Sequence, residues 1–539
     1  MNRYQVSLII LILAGLFLRV FWIDKYPVQL NHDEISQLYD AISIAQTGKD
    51  IYGNFMPTMF ISINDFKSPF CTYATSLVYL LFGDHEWIIK IPGILFSILT
   101  IPAIYWFVKS SFKNQTIAIL ASALTVITPF EIFYGRKSFE STIGICLLLV
   151  GFTGLCKYLS NKKVRWLYLG FITLAVAMYT YFSHAIIIPL LLLIFIWLNK
   201  NTLWPERKKI LPVILMWVVL IIPIISIVVL NPDSRYRSET VFIIQDPVLG
   251  EKIHGLSRVE RVLTITSYSL TRYLEQFNPE YLFLRGLDLT NQGPLGSGPL
   301  MAIQLPFILV GIYYIIKNRD IRHQRNFILA WILIGMLPSG LTFEKFSPHR
   351  SIMVFTMLNI LCAIGIWQVI SWSRLKNLNI RLMGIVVITI LFTFNFLYFL
   401  HIYIVDFPNE KSQEIHYPFK QIAEFTLQYY DSVEQIVFDP KFGEIAPRIG
   451  TASHYYLAYY IKYPPVQFQK EYRLGNKSRE TLFGKYSIRA VNWGEDRYLK
   501  NALIIASPWS LNISSIEKTK IIKTFYFYNG SVAFYALKV

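Results

Sequence analysis

The stretch "ILPVILMWVVLIIPIISIVVL", residues 210–230, contains no ionisable side chain. A run of this length matches the ~20 apolar residues that carry an α-helix across a bilayer, where each backbone N–H and C=O must be satisfied inside the helix. Similar runs lie near 6–23, 88–108, 115–134, 140–157, 166–181, 184–198, 299–316, 327–342, 351–371 and 382–404, eleven in all. Composition agrees, since 54% of the 539 residues are hydrophobic and 16% are charged. A net charge of +17 would suggest nucleic acid in a soluble protein. Here its placement matters more than its sum, and no nucleic-acid partner is implied. The first run is followed by the bulky "FWIDKYPV" with no small-residue cleavage site, so it reads as a retained helix. Cys71, Cys146, Cys156 and Cys362 lie in apolar segments without metal-type spacing and read as buried small hydrophobes.

Loop charge sets the expected orientation, because short cytoplasmic loops carry the Lys and Arg excess. With the N-terminus cytoplasmic, the inner connections are "KSSFKNQ", "KYLSNKKVR", "NKNTLWPERKK", "KNRDIRHQR" and "SRLKNLNIR", whose only acids are Glu206 and Asp320. A further candidate at 69–83, "PFCTYATSLVYLLFG", would turn every later basic loop outward if it crossed. It is read instead as a helix at, or dipping into, the outer leaflet. The outer side then holds a first loop at 24–87, short turns near 135–139 and 343–350, a long loop at 231–298 and everything after 405.

Residues 406–539 have soluble character. "VEQIVFDP" and "LIIASPW" read as strands and "SHYYLAYYIKY" as an aromatic helix. "KTFYFYNGSVAFYAL" reads as a hairpin with Asn529-Gly530 as a type I′ turn. The tyrosines of the aromatic helix, Tyr455 to Tyr463, suit a packing face better than a sugar-stacking one. The expected fold is a polytopic α-helical membrane protein of about 11 transmembrane helices (1–405) with a C-terminal extracytoplasmic α/β domain (406–539).

Four outward segments are dense in ionisable groups: His32-Asp33-Glu34; "NDFKSPF" with Asp65 and Lys67; "TPFEIFYGRKSFES" with Arg136 and Glu140; and "EKFSPHRS" with His349 and Arg350. Ionisable side chains at membrane depth cost ~2.5–3.5 kcal/mol each on insertion scales, so they usually face a cavity and pair. Carboxylates beside Arg and Lys fit a site that binds an anionic phosphate while a carboxylate removes a proton. Singly, each has a plain structural reading. Acids after the first helix are solvated loop residues or helix starters, Lys67 snorkels, Arg136 anchors at the interface, and His349-Arg350 steadies a turn. The expectation that all four share one pocket rests on their order and context together.

That order resembles the bacterial and archaeal relatives of protein O-mannosyltransferases and of the lipid A aminoarabinose transferase, membrane glycosyltransferases of the GT-C fold. "LRVFWIDKYPVQLNHDEISQLYDA" is similar to the family's Arg-containing first helix and Asp-Glu loop. "DFKSPFCTYATSLVYLLFG" resembles its "K-P-P-L" segment, "WIIKIPGILFSILTIPAIYW" its "R-L-P-S" helix, and "TPFEIFYGRKSFES" its "P…sR…D" turn. "NPEYLFLRGLDLTNQGPLGSGPLMAIQLPFILVGIYYI" is close to its long-loop pattern, and the likeness runs through roughly residues 15–350. Departures are Asn291-Gln292 where the family has Arg-His, Lys67-Ser68-Pro69 without a second Pro, and Glu140 where Asp is frequent.

The resemblance implies transfer of a hexosyl or pentosyl unit from a polyprenyl-phosphate-linked donor, with inversion, to an acceptor protein, lipid or envelope glycan at the outer face. The absence of a G-x-G-x-x-G turn or a Walker A loop agrees with a donor that is not a nucleotide sugar. By resemblance, Asp33 is the base and Glu34 its orienting or metal-binding second. Lys67, Arg136, His349 and Arg350 then hold the phosphate, while Asp65 and Glu140 position cations or sugar hydroxyls. A divalent cation, Mg²⁺ or Mn²⁺, held by Glu34 with His32 is a further use of these groups, without a spacing signature of its own. The rivals are an oligosaccharide-block transferase, a lipid-linked-sugar flippase or transporter, and a membrane-anchored envelope-binding protein. A flippase predicts charges near helix midpoints and repeated halves, whereas here the charges sit at helix ends.

Overall fold

The structure is a computed structural model, which describes residues 2–62, 66–230, 241–287, 293–372, 378–450, 452–474, 480–511 and 520–539. The chain divides into two compact units, Met1–Phe21 with Lys90–Ile402, and Trp22–Ile89 with Tyr403–Val539. This differs from a linear split near residue 405, because Trp22–Ile89 groups with the C-terminal residues.

The first unit is helical. Its helices are Arg3–Val20, Lys90–Phe112, Gln115–Ile127 continued after a bend by Pro129–Gly135, Glu140–Asn161, Val164–Met178 and Phe182–Leu198. After Arg207–Leu230 come Pro247–Ile253, Arg258–Glu275, Gln304–Lys317, Arg322–Gly340, Pro348–Ser371 and Leu378–His401. Each of the eleven apolar runs thus carries a helix. Among the described residues, six helical stretches are long and apolar enough to cross a bilayer, or seven when the bent pair counts as one span. The helices over 164–178, 182–198 and 304–317 are apolar but shorter, and the long apolar helices mark the chain as an integral membrane protein.

Backbone contact at glycine builds this unit, as expected where water supplies no drive for helix association. A Cβ at Gly311 would strike the Leu361 carbonyl, and one at Gly365 would strike that of Phe307. These two glycines let helices Gln304–Lys317 and Pro348–Ser371 lie together. Helix Leu378–His401 instead exposes Leu382, Met383, Val386, Ile390, Phe394 and Leu397, a surface suited to lipid.

The second unit is built on a seven-stranded mixed sheet. Its order is Ile521–Tyr526, Val532–Lys538, Ala502–Ala506, Gln435–Phe438, Tyr486–Ile488, Thr481–Phe483 and Arg473–Leu474. Gln435–Phe438 runs parallel to both of its neighbours, and the remaining pairs are antiparallel. Central placement explains why Ala502–Ala506 is buried at every position and reads as an unbroken apolar run. The expected hairpin forms, but its turn is not type I′. Gly530 alone takes positive φ (84°), Gly530 N–H donates to the Phe527 carbonyl at 3.0 Å, and Phe527 N–H donates to that of Ser531 at 2.8 Å. This is a type I turn closed by a glycine bulge, which needs one left-handed residue where type I′ needs two.

Residues 24–87 supply helices His32–Thr47 and Pro69–Phe82 to this unit. Its contacts with the C-terminal residues are specific. Tyr456 Oη donates to the Leu30 carbonyl at 2.7 Å and Tyr39 Oη to that of Tyr463 at 2.8 Å. Gln469 Nε2 reaches Ser43 Oγ at 3.0 Å and the Asp50 carbonyl at 2.9 Å. Tyr455 and Tyr456 are fully buried in this packing.

Candidate active site

Helix His32–Thr47 begins with a reciprocal capping box. Glu34 N–H donates to Asn31 Oδ1 at 2.8 Å, and Asn31 N–H donates to Glu34 Oε2 at 3.0 Å. The second acid of the pair therefore does local structural work, and it is 1% exposed. Asp33 is different. Its side chain is 25% exposed, and Oδ1 lies 2.7 Å from Lys67 Nζ and 3.7 Å from His32 Nε2. Lys67 stands on the short strand Phe66–Lys67, paired antiparallel to Phe60–Ile61 and stopped by Pro69 at the start of the next helix.

In the helical unit the chain bends by 56° between Gln115–Ile127 and Pro129–Gly135, and Arg136 caps the second piece. Arg136 Nη1 donates to the carbonyls of Leu18 at 2.8 Å and Phe21 at 2.9 Å, which ties the end of the first helix to this turn. Glu140 is buried in the first turn of Glu140–Asn161, where the helix dipole favours an acid. His349 packs between the rings of Phe139 and Tyr181, with centroids at 5.8 and 6.1 Å. Its ring nitrogens lie 3.3 and 3.4 Å from Ser347 Oγ. Arg350 Nη2 pairs with Glu344 at 2.9 Å, whereas its Nη1 is buried with no hydrogen-bond partner among the described residues.

The four expected segments therefore fall two to each unit. Residues 32–34 meet Lys67 in one, and the 136–140 turn meets His349 in the other. Asp65 and Asn291-Gln292 lie outside the described residues. Two groups escaped the sequence reading as individual residues. Arg19 is wholly buried, with Nε donating to Ser97 Oγ at 2.8 Å and Nη2 to the Thr125 carbonyl at 2.9 Å. A lone cation inside an apolar run was its signal. His416 lies 5.9 Å, ring to ring, from His32, and nothing local to residue 416 marks it.

Of the possible metal pair, Glu34 gives its Oε2 to the capping box while His32 Nε2 lies 3.7 Å from Asp33. Among the described residues no group of three or more His, Cys, Asp or Glu side chains is placed to hold a metal ion. No step is assigned to a metal here.

Residues 66–227 match the dolichyl-phosphate-mannose-protein mannosyltransferase family. Two Bacillus subtilis (strain 168) proteins, named "Putative mannosyltransferase YycA" and "Putative mannosyltransferase YkcB", are each 26% identical to the chain over 225 and 217 residues. The matches cover 41% and 40% of this chain but only 31% and 29% of those relatives. Among solved structures, ArnT from Cupriavidus metallidurans superposes over 99% of this chain and 97% of its own, with TM-score 0.54 in the apo state at 12% identity. The same protein bound to undecaprenyl phosphate gives TM-score 0.55 at 11% identity, with the same coverage. The apo Archaeoglobus fulgidus oligosaccharyltransferase gives 0.52 at 12% identity, covering 85% of this chain and 64% of its own. Likeness along nearly the whole chain, on helices that follow the apolar runs, gives the conclusion: this chain has the GT-C fold of the membrane glycosyltransferases.

Proposed function

We propose that the chain transfers a sugar from a polyprenyl-phosphate-linked donor to an acceptor hydroxyl at the outer face of the membrane, inverting the anomeric centre. The observation that carries this reading is the Asp33–Lys67 pair, a part-exposed carboxylate at a capped helix start held 2.7 Å from an ammonium. The undecaprenyl phosphate bound by ArnT and the mannosyl transfer named for the matched family support the donor class and make mannose the first sugar to test.

In this reading Asp33 takes the acceptor's proton as the acceptor oxygen bonds to the anomeric carbon. The bond from that carbon to the phosphate oxygen breaks, and polyprenyl phosphate leaves with the electron pair. A phosphate leaving group needs no general acid, which suits basic rather than acidic partners. Lys67, Arg136, His349 and Arg350 are assigned to the phosphate, and the partnerless Arg350 Nη1 is the most direct support for an anion there. Asp65 and Glu140 are assigned to cations or sugar hydroxyls. The N-terminus is assigned to the cytoplasm and residues 406–539 to the outside, which cysteine labelling on intact cells tests.

The decisive experiment measures release of undecaprenyl phosphate from undecaprenyl-phosphate mannose by membranes containing the protein. It is paired with mass comparison of surface glycans, lipids and glycoproteins with and without the gene. Asp33→Asn is expected to lower turnover by ~10²–10⁴-fold while undecaprenyl phosphate still binds. A variant turning over at near-parental rate removes Asp33 from the base role.

A further inference from the structure

One arrangement beside Asp33 is not used by the reaction described above. His32 Nε2 is 3.7 Å from the Asp33 carboxylate, and the His32 ring meets the His416 ring edge to face at 5.9 Å. His416 belongs to the C-terminal residues and is fixed on several sides. Tyr456 stacks on it at 5.5 Å, Phe419 meets it at 5.0 Å and Phe442 at 5.2 Å. His416 is only 6% exposed, while the His32 side chain is 27% exposed. The Nδ1 atoms of both rings are buried and lack a hydrogen-bond partner among the described residues. Buried polar nitrogens without partners are uncommon and mark places where a water, a proton or a ligand is handled.

We propose that His32 is the proton outlet of Asp33, and that His416, presented by the C-terminal residues, is the positioning residue that holds the His32 ring. The inference rests on Asp33 acting as the base. After sugar transfer the proton sits on an Asp33 oxygen; it passes to His32 Nε2, the O–H bond breaking as the N–H bond forms. The part-exposed imidazolium then releases a proton to water, and Asp33 is again a carboxylate. The 3.7 Å separation shortens on binding, as catalytic contacts do when a loose free site closes on substrate. His416 carries no proton in this scheme. Burial first, then the neighbouring His32, pushes its pKa down to about 3, so it stays neutral at working pH. The charged groups around the pair are Asp33, Lys67 and Glu34 from the first loop, with Glu414 and Arg448 from the C-terminal residues. With Lys67 already on the carboxylate, the His32 imidazole is the group placed to carry the proton outward.

The test uses the full-length protein and the undecaprenyl phosphate release assay. His32→Ala is expected to lose ~10²-fold in turnover, with donor KM within about threefold of parental, and to regain at least tenfold in added imidazole. His32→Gln, which keeps size and polarity, is expected to show the same loss. His416→Ala is expected to lower turnover less, without imidazole rescue, and His416→Phe to restore most of it. Parental turnover in His32→Ala, or a folded His32→Ala that imidazole does not rescue, overturns the outlet. If Asp33→Asn is itself near parental, the base assignment fails first; an inactive Asp33→Asn beside an unaffected His32→Gln sinks the outlet alone.

Discussion

The two units satisfy buried cations in different ways. In the helical unit three buried arginines donate to backbone carbonyls at or just past helix ends. Arg19 serves Thr125 and Val126 at the end of Gln115–Ile127, and Arg136 serves Leu18 and Phe21 at the end of Arg3–Val20. Arg272 likewise donates to the Phe343 carbonyl at 2.6 Å. In the sheet unit the buried cation meets a buried anion. Arg489 is bidentate to Asp496 at 2.7 and 3.0 Å, both side chains being under a tenth exposed. A helix that bends or stops at membrane depth has carbonyls that water cannot reach, and a guanidinium satisfies several at once. Within the sheet the strand carbonyls are taken by neighbouring strands, and the Arg489 charge is answered by the carboxylates of Asp496 and Glu480.

This contrast can be broken by substitution. Arg489→Met is expected to destabilise its unit by ~3–5 kcal/mol, because Asp496 is left buried without its partner. The double variant Arg489→Met/Asp496→Leu should recover most of that loss in a thermal melt, and equal instability of the two would refute the ion-pair account. Arg19→Met should cost less, ~1–3 kcal/mol, since what it chiefly leaves are the Thr125 and Val126 carbonyls, with Glu131 the buried carboxyl that feels its charge. A loss as large as that of Arg489→Met would erase the distinction between the units.

Acid should act on the sheet unit through its buried histidines. Burial lowers His416 to about 3 and His454 to about 4, below the ordinary value near 6.5. Between those limits the unfolded chain binds protons that the folded unit does not, so stability falls as pH falls from about 6.5 toward 4. The slope approaches ~1.4 kcal/mol per pH unit for each histidine. Tm measured across that range, with His454→Phe expected to flatten the slope, checks the sign. Asp40 has the opposite one, since burial raises its pKa and its contribution is lost as pH rises. The smallest effect belongs to the hairpin. Gly530→Ala, at φ 84°, should lower the melting free energy by ~1 kcal/mol, and an unchanged Tm would remove the glycine bulge from the account.

How much could be read beforehand differed by element. Apolar runs located the helices, because lipid-facing and buried helices alike lack charges over their length. The strands at 435–438 and 502–506 were legible as short apolar runs, being central. The hairpin was visible, but its turn type was not. Asn-Gly is compatible with both turn types, and the choice depends on register with the neighbouring strands. Glu34 shows the limit at the site, because an acid three residues after Asn31 can cap a helix or serve chemistry.

Sequence alone determined the membrane-embedded helical class, the apolar helices and the stock of acids and bases at helix ends, since period and charge are local properties. Tertiary structure decided which charges meet. It placed Lys67 on Asp33, turned Arg19 and Arg136 toward helix-end carbonyls, and brought His416 against His32. Such pairings depend on where distant segments pack, and no local pattern encodes that.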